Sequence, residues 1–225
     1  MDEHLIKSEH LGYDVRYWVH VPEGFSGREL PALYVTDGKW YCERGDIVAL
    51  SRSLIREGKV DPHLLVLVDA FDPNNESRNR RNQQFLCNPD YVSFYREELI
   101  PEIQQRYAAS KSREDTGLLG LSFGGLNSMY FAIHASDLFG KIGIQSPAPH
   151  PCPDIFDEFV ARDRLPIDIY LSTGTVNDKA RDTRRLKRIL EEKGYEFKYQ
   201  EVPEGHNWKN WKPLLDDILL HFYGI

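Results

Sequence analysis

Leu64-Leu65-Val66-Leu67-Val68 is a run without a single polar side chain. A strand sends alternate residues to opposite faces, so this run is stable only in a sheet covered on both sides. Residues 118–121 and 167–171 make the same demand, and 141–144 a weaker one. Between these runs lie amphipathic stretches at 46–57, 125–135, 179–193 and 212–222. In 179–193, Leu186, Ile189 and Leu190 share one helical face and Gly194 supplies a stop. Strands alternating with helices predict an α/β fold with a mostly parallel central sheet and helices on both faces. Residues 13–21 alternate as a half-buried strand and 33–35 form another. No helix separates these initial strands, so they are expected to form an antiparallel edge. Residues 91–107 have helical period but contain Pro101, which predicts a kink or two helices.

Residues 118–125 read LLGLSFGG, which places Gly120-Leu121-Ser122-Phe123-Gly124 between a strand run and a helical stretch. A G-x-S-x-G match alone is weak, because Gly and Ser are common. The strand–turn–helix context makes it a nucleophile elbow, in which a strained turn projects the serine hydroxyl and small neighbours clear the space around it. The competing reading is an ordinary glycine-rich turn.

A serine hydroxyl needs a base, and the base an orienting acid. In elbow sites the order along the chain is Ser, then Asp or Glu, then His. His206 follows the strand run at 197–202 and precedes the last helix, so its loop can swing over the elbow. His150, in a Pro-rich loop after the serine, is its competitor. Asp178 follows the 167–171 strand and is the candidate acid, with two rivals: a plain helix-capping role for the same residue, and Asp182 one turn on.

The 225 residues suit one domain, 1–225, with a sizeable core. Aromatics at 12% exclude disorder as the main state, and a net charge of −7 argues against nucleic acid as a general partner. No apolar run is long enough to span a membrane. The start, MDEHLIKSEH, has no apolar core of a signal peptide. With three widely spaced cysteines and no CxxC pair, the expectation is a cytoplasmic protein, a secreted form stripped of its signal remaining open. No ligand spacing suggests a metal, and the chemistry calls for no cofactor.

The motifs together resemble the esterase family of α/β-hydrolases that includes enterochelin (siderophore) esterases, feruloyl esterases and relatives of S-formylglutathione hydrolase. Residues 33–38 (LYVTDG) resemble its LYLLDG segment, 120–125 its GxSxGG elbow, 174–178 (GTVND) its GTxxD acid segment, and 205–208 with Trp211 its GHDWxxW box. Residues 81–88 (RNQQFLCN) resemble the RxxELxxN stretch of the enterochelin branch, with Gln84 in place of Glu; Asn207 replaces the Asp of the final box. The extra N-terminal domain of the larger siderophore esterases has no counterpart within these 225 residues.

The resemblance implies an α/β-hydrolase fold and a serine esterase acting on a small-molecule ester, with Ser122, Asp178 and His206 as catalytic residues. The backbone of Phe123, just after the nucleophile, and that of Lys39, after the 33–35 strand, are the expected oxyanion donors. Trp40 and Trp208 are candidate walls of the substrate pocket. Arg81, in the arginine-rich run 77–81, is a candidate partner for a substrate anion. The short, proline-rich connection after residue 146 leaves no room for a large lid, which predicts an open cleft for bulky aryl, hydroxycinnamoyl, acylated-sugar or siderophore-type esters. A non-catalytic binding protein on the same fold and an acyltransferase on the same triad are the alternatives. Oligomeric state has no signature in the sequence.

Overall fold

The computed structural model describes residues 1–225. Ten strands are numbered in chain order: β1 (Asp2–Lys7), β2 (Asp14–His20), β3 (Ala32–Val35), β4 (Leu64–Val68), β5 (Phe71–Asp72), β6 (Asn75–Asn79), β7 (Thr116–Leu121), β8 (Lys141–Gln145), β9 (Asp168–Gly174) and β10 (Phe197–Val202). The helices are α1 (Gly38–Glu43), α2 (Ile47–Arg56), α3 (Arg81–Phe85), α4 (Pro89–Ser93), α5 (Ile100–Tyr107), α6 (Phe123–His134), α7 (Ile155–Ala161), α8 (Ala180–Glu192), α9 (Trp208–Trp211) and α10 (Leu215–Tyr223).

Eight strands form one sheet in the order β1-β2-β4-β3-β7-β8-β9-β10. The β1–β2 and β2–β4 pairs are antiparallel; along that order from β4 through β10 every pair is parallel. The α/β-hydrolase arrangement is therefore present. The expected antiparallel N-terminal edge is present, made by β1 and β2, and one strand departs from the expectation. The 33–35 strand is not at the edge: β3 lies inside the sheet, with Tyr34 opposite Val66 on one side and Leu118 on the other. The edge is β1, which is largely exposed and buries only His4 and Ile6 in part.

The apolar run of β4 behaves as its composition requires. Leu64, Val66 and Val68 enter the larger core on one face, while Leu65 and Leu67 enter the smaller core on the other. α6 is buried almost all round, so the elbow rests on a rigid element. Residues 91–107 divide into the end of α4 and the whole of α5, with Pro101 in the first turn of α5. A π-helical turn at Phe94–Leu99 joins α4 to α5, and the Ile100 amide reaches back to the Tyr95 carbonyl. Pro101 brings no N–H to the helix, and the wider turn takes up the mismatch just before it.

The 77–81 run is divided between two elements. β5 and β6 form a hairpin, and Arg81 opens α3. The connection after β8 contains only the short α7. No helix is long and apolar enough to cross a membrane.

Candidate active site

The parallel strands end on one side of the sheet, and the loops leaving them carry the candidate residues, as is usual for open α/β sheets. Ser122 follows β7 with φ 58° and ψ −117°, a conformation that a residue with a side chain rarely adopts. The turn is held from both sides. The Ser122 amide donates to the Gln145 carbonyl at 2.9 Å, and the Ser122 carbonyl accepts from Leu126 at 3.0 Å and Ala148 at 3.0 Å. Gly120 is required here, since a Cβ on it would stand 2.2 Å from the Gly124 carbonyl oxygen. Gly120→Ala is expected to cost about 1–3 kcal/mol or more by overpacking. At about 2–4 °C per kcal/mol, calorimetry should read a clear drop in Tm.

His206 and Asp178 complete a chain of hydrogen bonds. Ser122 Oγ and His206 Nε2 are 2.9 Å apart, and His206 Nδ1 lies 2.5 Å from Asp178 Oδ1. The Asp178 side chain is wholly buried, whereas that of His206 keeps 28% exposure. The second Asp178 oxygen accepts from the Gly174 amide (2.5 Å), Ser146 Oγ (2.6 Å), Asn210 Nδ2 (2.8 Å) and Thr173 Oγ1 (3.1 Å). Burial pushes this carboxyl up. The hydrogen bonds from His206, Ser146 and the Gly174 and Lys179 amides outweigh it and hold the group well below the usual carboxylate range. Asp178 is therefore an anion facing an imidazole. It is not the cap of α8, whose N-cap is Lys179 with no side-chain bond. Gly174 is a second necessary glycine: a Cβ there would meet the Glu204 carbonyl oxygen at 2.1 Å, where the base loop crosses the acid loop.

The rivals stand apart from this chain. His150 packs its ring against Phe123 at 5.4 Å between centroids, and Asp182 lies in α8 outside the hydrogen-bonded set.

Phe123 and Lys39 sit in the first turns of α6 and α1. The opening amides of a helix have no partner inside it, and neither of these two donates elsewhere in the chain. Trp40, Arg44, Arg81, Ser122, His206 and Trp208 line one cavity of about 290 Å³. Trp208 meets Tyr41 and Trp211 edge to face. Arg81 is in the cavity wall but not free: its guanidinium makes a two-pronged ion pair with Asp37, whose side chain is fully buried. Burial pushes the Asp37 carboxyl up to about 6 even against the Arg81 charge. No three His, Cys, Asp or Glu side chains cluster closely enough to hold a metal ion.

Four contributors escaped the sequence reading. Ser146, at φ 43°, donates to Asp178 and accepts from Asn210 Nδ2 at 3.1 Å and Trp211 Nε1 at 2.9 Å. Thr173 and Asn210 are the others on the acid, and Asp37 is the partner of Arg81. Asn210 lies inside the final aromatic box, next to Trp211, which is the one signal that could have found it. Trp211 also edges the His206 ring at 4.9 Å.

A family model described as "Putative esterase" matches residues 8–222. The iron(III) enterobactin esterase of Escherichia coli O6:H1 is 28% identical over 144 residues, which are 64% of this chain and 35% of that relative. The chain spans about a third of the length of the curated enterobactin esterases it matches. The solved enterobactin esterase of Shigella flexneri superposes with a TM-score of 0.88 at 24% identity, covering 98% of this chain and 58% of that one. A ferulic acid esterase superposes with a TM-score of 0.85 at 18% identity, covering 99% and 97%. A match that runs from residue 8 to residue 222, over a sheet and an elbow of this geometry, makes the chain a member of that esterase family.

Proposed function

We propose that the chain is a single catalytic domain, a serine carboxylic-ester hydrolase working through an acyl-enzyme on Ser122. The observation that carries this reading is the unbroken hydrogen-bond chain from Ser122 Oγ through His206 to Asp178. His206 Nε2 takes the serine proton as Oγ attacks the ester carbonyl, then returns it to the leaving alcohol. Asp178 accepts from Nδ1–H, which fixes the tautomer and stabilises the imidazolium. The amides of Phe123 and Lys39 receive the developing oxyanion; one such donor is typically worth about 3–4 kcal/mol in the transition state. Water repeats the sequence on the acyl-enzyme.

The cavity suits the reacting end of a small-molecule ester, with Trp40 and Trp208 as apolar walls and the rest of a bulky substrate lying outside. The relatives' names direct the substrate search to enterobactin-type and feruloyl-type esters. The test is a fluorophosphonate probe with a hydrolysis panel of short acyl, hydroxycinnamoyl and catecholate esters. Labelling that disappears in Ser122→Ala supports the reading, and a folded protein that neither labels nor hydrolyses any of the panel refutes it.

With Arg81 committed to Asp37, the cation left to meet a substrate anion is Arg44. It is exposed, lies 5.6 Å from the Trp40 ring centroid and makes no ion pair. Arg44→Ala should raise KM about 2–5-fold for a carboxylate-bearing ester, the effect of one exposed charge pair, and leave a neutral analogue unchanged. Equal changes on both would remove Arg44 from recognition.

A further inference from the structure

The Arg81 guanidinium lies where the two amide-bearing turns meet. Its Nε and Nη2 donate to the two Asp37 oxygens at 2.8 and 3.1 Å, and Nη2 also reaches the Leu121 carbonyl at 3.4 Å. Asp37 immediately precedes Gly38-Lys39, and Leu121 immediately precedes Ser122-Phe123. One planar group thus grips both segments, each at the residue that opens its turn.

The Ser122 turn is tied to β8 through Gln145, but no strand pairing sets its distance from the Asp37 turn. β3 and β7 are adjacent and parallel, but their last paired residues are Val35 and Leu119. Beyond that point Asp37 takes a left-handed conformation, at φ 55°, and Ser122 takes φ 58°. The Asp37 carbonyl receives the amides of Trp40 and Tyr41, which leaves those of Gly38 and Lys39 pointing free. The Arg81 charge centre lies 5.0 Å from the ring of Trp40, 5.6 Å from that of Phe123 and 5.7 Å from that of Phe85, so its plane is held from several sides.

We propose that Arg81 is a positioning residue that sets the spacing between the Lys39 and Phe123 amides, and is not the receptor for a substrate anion. The inference rests on the serine-esterase reading above. An oxyanion hole works only when both donors converge on one oxygen. A misplacement of about 1 Å can cost about 100-fold in rate. A lysine cannot substitute fully, because one ammonium does not offer two parallel donors to a carboxylate together with a third bond to a carbonyl.

The experiment measures kcat, KM and Tm for Arg81→Met, Arg81→Lys and Asp37→Asn on a matched pair of aryl esters, one neutral and one bearing a carboxylate. Arg81→Met is expected to lower kcat about 100-fold on both esters with KM nearly unchanged, the signature of lost transition-state stabilisation. Arg81→Lys should recover part of that loss, and Asp37→Asn should reproduce its pattern. A loss confined to KM for the anionic ester would make Arg81 a substrate receptor and overturn the proposal. So would an unchanged kcat in folded Arg81→Met, or a kcat that falls only in step with the folded fraction. If Arg81→Met does not fold because Asp37 is left buried and unpaired, the double variant Asp37→Asn/Arg81→Met removes both charges and is held to the same kcat criterion. Ser122→Ala runs alongside: turnover retained there would sink the serine-esterase reading itself, independently of anything Arg81 does.

Discussion

Ser122→Ala is expected to lower kcat for an activated short-chain aryl ester by a factor on the order of 10⁶ while leaving the fold and Tm intact, and His206→Ala by about as much. The two losses should be similar, and the double variant no worse than either. In the proposed mechanism nucleophile and base act as one unit joined by the 2.9 Å bond between Oγ and Nε2, so removing one leaves the other without a task. Neither side chain is part of the core, and the bonds that hold the elbow are made by the Ser122 backbone, which Ala retains. Steady-state kinetics with calorimetry on the three variants checks this. Wild-type-like turnover by a folded Ser122→Ala protein would refute the assignment.

Asp178→Asn is expected to lower kcat by about 10⁴, the size of effect that follows when the base is offered the wrong partner on its second nitrogen. The amide keeps the shape of the carboxylate but presents N–H₂ toward Nδ1 or toward the donors of Gly174, Ser146 and Asn210. Some Tm is lost with those bonds. The kinetic loss should far exceed what the stability change explains, because Asp178 does not cap α8. Asp182→Asn and His150→Ala should keep kcat near wild type, since neither enters the hydrogen-bonded chain. A sluggish Asp182 variant beside an active Asp178 variant would move the acid one turn along the helix.

Much of this architecture could be read from residues alone, and the reasons are local. The β4 run has only one covering that satisfies it. The elbow is a strand, a serine among glycines and a helix in immediate succession. Ser122, Asp178 and His206 follow strands in a fixed order. What escaped was decided by pairing across long sequence distances. Asp37 and Arg81 meet over 44 positions, and Ser146 and Trp211 over 65, with no periodicity linking either pair. The place of β3 inside the sheet depends on which neighbours it pairs with, and its own composition is silent on that. The β5–β6 hairpin was missed because the residues of β6 are all exposed and carry no apolar alternation.

The base stands 84 positions after the nucleophile, behind β10, the last strand to join the sheet and one that pairs only with β9. That order has a meaning during synthesis. Domains emerge from the ribosome N-terminal end first, so the elbow has its chain long before the imidazole exists beside it. On the proposed serine-esterase reading, Ser122 is until then an ordinary alcohol, too weak a nucleophile to acylate itself on passing esters. On that reading, reactivity arrives with the closing of the sheet's final edge, and the nascent chain carries its proposed nucleophile unarmed.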